Sequence, residues 1–101
     1  MKLLPANIRS QIPPLYSTEN DPDPLVRCKF FAPWSTWTWY VTEFDGVDTL
    51  FGWVDGDFPE LGYFSLSELE SVRGLLGLRI ERDIGFEPCK LSVVKEQSVR
   101  V

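Results

Sequence analysis

Histidine is absent from the 101 residues. Its absence removes the commonest metal ligand, the commonest general base and every Ser-His or Cys-His nucleophile pair. Cysteine is scarce: Cys28 and Cys89 alone cannot fill a four-coordinate zinc site. In a reducing compartment they are expected as buried thiols rather than as a functional disulfide. No apolar run is long enough to cross a bilayer, and Met1 to Arg9 is broken by polar residues before a secretory-type core forms. A cytoplasmic protein is therefore expected. There is no phosphate-cradling glycine loop, no twelve-residue calcium loop, no internal repeat and no low-complexity tract. No metal and no cofactor is expected from these residues.

Positive charge is also missing where the chain is most distinctive. From Phe30 to Val72 there is no lysine or arginine, yet this stretch holds eight of the fifteen carboxylates and twelve of the fourteen aromatic side chains. It carries −8 while the remainder carries +3, which gives the net −5. A one-signed field attracts basic partners and repels phosphates. Direct nucleic-acid binding would need Arg73, Arg79, Arg82 and Lys90 as one patch, and Glu81, Asp83 and Glu87 interrupt them. The length allows a single domain, residues 1–101, and the aromatic content supplies a core.

Leu4, Ile8 and Ile12 recur every four residues, Pro5 suits a first turn and Pro13-Pro14 ends the pattern, which predicts a short amphipathic N-terminal helix. Pro13 to Pro24, with four prolines, is a connector. Four strands follow, at Leu25 to Phe31, Thr36 to Phe44, Thr49 to Val54 and Glu60 to Phe64. Alternation in the second strand sets Trp37, Trp39 and Val41 against Thr38, Tyr40, Thr42 and Phe44. Asp45-Gly46 and Asp55-Gly56 predict turns, because glycine reaches positive φ at no steric cost. Ser65-Leu66-Ser67-Glu68 matches a capping box, which predicts a helix from Leu66 to Arg73 stopped by Gly74. Leu78 to Ile84 alternates as a fifth strand, Pro88 to Lys95 is a short helix or an edge strand, and Gln97 to Val101 is a frayed tail. The fold expected is α+β: a twisted antiparallel meander of four to five strands, with the capped helix packed on a face and the N-terminal helix covering an end.

The segments P-P-L-Y-S-T-E-N at Pro13 to Asn20, W-T-W-Y-V-T-E-F-D-G at Trp37 to Gly46 and E-L-G-Y-F-S-L-S-E-L-E-S-V-R-G at Glu60 to Gly74 carry a family resemblance. With F-G-W-V-D-G at Phe51 to Gly56 and I-E-R-D at Ile80 to Asp83, the chain resembles the bacterial family domain of unknown function 2958 over most of its length. The resemblance implies a small accessory protein carried on plasmids and other mobile elements. It brings no catalytic residues with it.

Two groups of side chains are candidates for contact. Trp34, Trp37 and Trp39 are aromatic anchors, with Trp34 in a loop the one expected to be exposed. Alternate packing into the core would explain Trp37 and Trp39 equally well. Asp45, Asp48, Asp55 and Asp57 are the charge expected to steer a basic protein partner, although Asp before Gly is also ordinary turn chemistry. With Glu43 these carboxylates lie near strand ends, and turns on the same side of a meander would bring some of them together. The reading that follows is a non-catalytic adaptor or inhibitor of a mobile element, possessing an acidic aromatic face, with counter-defence as one setting. Its rivals are an enzyme using a divalent cation on a phosphate-containing substrate, and a small-ligand or carbohydrate-binding module.

Overall fold

The computed structural model describes residues 2–98. Pro5 N-caps the single turn α1, Ala6–Arg9, which places Leu3, Leu4 and Ile12 in the interior and Ile8 against it. The first expected strand divides into β1, Leu25–Val26, and β2, Cys28–Phe31, with the Arg27 amide bonded to the Val41 carbonyl at 2.7 Å between them. β3 is Thr38–Phe44, β4 Thr49–Asp55 and β5 Glu60–Ser65. After β5 the chain forms the capped helix α2, Leu66–Ser71, and returns as the two-residue strand β6, Glu81–Arg82. All pairings are antiparallel, and the five-stranded sheet runs β5-β4-β3-β2-β6. The chain is thus an α+β fold with an antiparallel meander. The C-terminal ambiguity resolves as both alternatives in succession: β7, Cys89–Lys90, pairs with β1, and α3 runs Leu91–Ser98. Part of the expected Gln97 to Val101 tail is helix as far as Ser98, and residues 99–101 lie outside the described range.

Both sheet faces are partly covered. On one, Cys28, Phe30, Val41, Phe44 and Leu50 pack with Leu66 and Leu69 of α2, with Ile80, and with the N-terminal Leu3, Leu4 and Ile12. On the other, α3 lays Leu91 and Val94 on Val26 and Tyr40, with Trp53 and Phe86 alongside. Each such fully buried side chain is worth roughly 1.5–3 kcal/mol relative to exposure. Cys28 lies in the first cluster and Cys89 borders the second, and both are free thiols.

Several sequence expectations are corrected. Strict alternation fails in β3, because the register steps from Val41↔Gly52 to Glu43↔Phe51 and leaves Thr42 as the extra residue of a bulge. Phe44 therefore joins the core face of Val41, and Glu43 turns to the face of Tyr40. α2 ends at Ser71 because Val72 is already extended (φ −64°, ψ 135°). Gly74 does not stop the helix; a Cβ there would lie 2.2 Å from the Trp34 ring, so the glycine is the seat of that indole. Gly46 has the expected positive φ of 88°, but Gly56 does not, and its missing Cβ instead admits the Trp37 ring. The fifth strand contracts to Glu81–Arg82, with Ile80 buried while Leu78 and Ile84 are exposed.

Candidate functional site

The expected carboxylates do not converge. Successive turns of a meander lie at opposite ends of the strand they share, so β4 separates Asp45 and Asp48 from Asp55 and Asp57 by about 20 Å. One cation cannot bridge the two groups. Among the described residues, no set of three or more Cys, Asp or Glu side chains is placed to hold a metal ion.

Asp45 and Asp48 have local work. Asp45 Oδ1 accepts the amides of Val47, Asp48 and Thr49 at 2.8–3.0 Å, which fixes the turn after β3. Asp48 accepts the Ser65 hydroxyl at 2.6 Å and the Ser67 amide at 2.7 Å, tying that turn to the start of α2. The Val47 amide foremost for Asp45, and the Ser65 hydroxyl foremost for Asp48, hold both carboxyls below their ordinary range. Asp55 accepts the hydroxyl of Ser98, which itself accepts the Trp53 indole N–H at 2.9 Å. Asp57 is exposed in the turn after β4.

The tryptophans also separate. Trp34, expected to be exposed, is half-buried over Gly74 and against the core. Trp37 and Trp39 do lie together, ring centroids 5.8 Å apart, and Trp37 is 36% exposed. With Phe58, Phe64, Asp57 and Glu60 they line a cleft of about 360 Å³ floored by Gly56 and Gly62.

A second cleft, also about 360 Å³, opens on the other sheet face between the Pro13 to Pro24 connector and α3. Its centre is organised by Glu43, only 4% exposed. The Glu43 carboxylate accepts the Tyr16 amide at 2.8 Å, the Thr18 amide at 2.9 Å and the Thr18 hydroxyl. These bonds satisfy the buried charge and hold the connector in place. They also hold Tyr16 at φ 69°, a conformation uncommon for a bulky side chain. Tyr16 and Tyr63 project from the rim, 60% and 57% exposed, and the Tyr63 ring packs at a tilt of 54° against Phe51 with centroids 4.8 Å apart. Hydrogen bonding with Tyr16 chiefly, then desolvation and the negative charge of Tyr16, Glu43 and Glu19, pushes the Tyr63 phenol above its ordinary range. Leu61, Glu19 and Asp21 complete the acidic aromatic wall, and Lys95, the one cation among the described residues that line the cleft, lies 5.3 Å over the Trp53 ring.

Sequence reasoning missed this site because two of its parts are tertiary. The bulge turns Glu43 inward, and the connector folds back over β4 and β5. A carboxylate within an otherwise apolar and aromatic strand was the available signal.

The family model described as Protein of unknown function (DUF2958) matches residues 2–98. The chain belongs to this family. No curated protein and no solved structure matches it. The P-P-L-Y-S-T-E-N and E-L-G-Y-F-S segments behind the resemblance supply Tyr16, Thr18, Glu19, Leu61 and Tyr63, which meet in the second cleft.

Proposed function

We propose that this DUF2958 protein is a non-catalytic, cytoplasmic accessory protein of a bacterial mobile element, which binds a basic protein as an adaptor or counter-defence inhibitor. What supports the reading is the exposed Tyr16-Tyr63 pair, held in place through buried Glu43 and flanked by Glu19 and Asp21. Phenol faces attract lysine and arginine side chains, and neighbouring carboxylates strengthen that attraction. Aromatic residues on a rigid scaffold also give large contact area at small entropic cost. Trp37, Trp39 and Asp57 belong to the same reading as a second patch at the far end of β4, whereas Trp34, Asp45, Asp48 and Asp55 are engaged within the fold. The test is recovery of the tagged protein from a host carrying the element, beside a Glu19→Gln, Asp21→Asn, Tyr63→Ala variant. A stoichiometric, salt-sensitive protein partner lost in the variant is expected. Equal retention by both forms contradicts the reading.

The cleft volume lies within the range of small-ligand sites, which keeps a ligand-binding module as the second reading. A ligand that binds only the folded state raises Tm by mass action, so a thermal-shift panel of cationic and carbohydrate ligands distinguishes it.

A further inference from the structure

We propose that the outer edge of β5 receives an extended basic segment of the partner protein as an added strand, whose alternate side chains enter the two clefts. The proposal rests on the protein-binding reading above and adds its mode of recognition and the sequence pattern it selects. Among the described residues β5 is a sheet edge, bonded on one side only, by β4. The Leu66 amide donates to the Asp48 carbonyl at 2.9 Å. Counting back along the antiparallel ladder makes Phe64, Gly62 and Glu60 the residues bonded to β4. Leu61 and Tyr63 therefore direct their N–H and C=O groups outward, as a template for another strand.

β5 lacks several of the usual protections of an edge, and its one charged residue, Glu60, stands at its start. The opposite edge, β6, is two residues long and charged, whereas β5 spans six residues with no lysine, proline or bulge. Side chains of an added strand would alternate between the sheet faces. On one face they would meet Leu61, Tyr63 and Tyr16 with Glu19 and Asp21 beside them, which suits arginine or lysine. On the other they would lie over Gly62, where a Cβ would meet nothing within 4 Å, beside Trp37, Phe58 and Phe64, which suits an apolar side chain. Charge selects the occupant. Glu19, Asp21, Asp57 and Glu60 surround the edge, and a second copy of this chain, at net −5, would bring like charges together.

The probe is a labelled peptide alternating arginine with valine, compared with a peptide of the same composition grouped into an arginine block and a valine block. Alternation should bind at least ~10-fold more tightly by anisotropy. At saturation the Leu61 and Tyr63 amides of the wild-type protein should gain protection from hydrogen exchange. Leu61→Pro removes an outward donor without touching the β4 ladder and should abolish the preference. The exchange measurement decides the matter if that variant fails to fold. Equal binding of both peptides without amide protection overturns strand addition but leaves the acidic-surface reading standing, while binding of neither overturns both. A wild-type dimer that Leu61→Pro converts to monomer assigns the edge to a second copy and also overturns the proposal.

Discussion

Single glycines and thiols carry much of the packing logic. A Cβ on Gly52 would lie 1.7 Å from the Tyr40 carbonyl oxygen, which is backbone and cannot rotate away. Gly52→Ala is therefore expected to cost about 3 kcal/mol or more in urea unfolding, from overpacking in the central strands. Cys28 is buried and its thiol is pushed up to about 12, chiefly by desolvation. It should resist alkylation at neutral pH in the native protein and react once the chain unfolds, which mass spectrometry of labelled peptides would show. Asp23 adds a third depressed carboxyl, through the Ser92 hydroxyl and then the Ser92 amide, to those of Asp45 and Asp48. A carboxyl depressed on folding contributes stability that is present above its unfolded pKa and is lost as pH falls through its folded one. Tm should thus hold down to about pH 4 and fall below it, and Asp48→Asn should flatten that fall. The Asp45-Gly46 turn was legible because its chemistry is local. The seats at Gly74 and Gly56 were not, because the indoles of Trp34 and Trp37 reach them from other parts of the chain.

At the scale of elements, the capped helix shows what local sequence can and cannot specify. Ser65 accepts the Glu68 amide at 3.2 Å as the capping pattern requires, and its hydroxyl also donates to Asp48. Ser65→Ala should cost roughly 1–2 kcal/mol by chemical denaturation, since it removes both the cap and the tie to the preceding hairpin. The helix start was readable for this reason. Its end was not, since Val72 leaves helical geometry where it packs against the first core cluster. The strand order of the meander followed from turn signals, but the β3 bulge did not. A bulge adds one residue without altering composition, yet it moved Phe44 inward and made Glu43 the anchor of the connector. Glu43→Gln should retain the core while loosening residues 15–19, seen as faster hydrogen exchange at the Tyr16 and Thr18 amides than elsewhere in the protein.

For the molecule as a whole, the charge split visible along the chain became a spatial arrangement only after the connector folded over the sheet. The basic remainder is dispersed: Lys29 faces Asp83 at 3.9 Å, while Arg9 and Lys95 lie over the Phe44 and Trp53 rings. The acidic aromatic clefts lie on either side of β5, the longer edge strand of the sheet. This arrangement is the basis for reading the protein as a binder of basic polypeptide. The most direct measurement is amide chemical-shift mapping of the ¹⁵N-labelled protein titrated with the alternating arginine-valine peptide, at about 0.1 M and about 0.5 M salt. The account predicts saturable shifts at Tyr16, Thr18, Leu61 and Tyr63 that weaken at the higher salt. Shifts confined to the Asp45 to Asp48 turn, or no shifts at all, would contradict it.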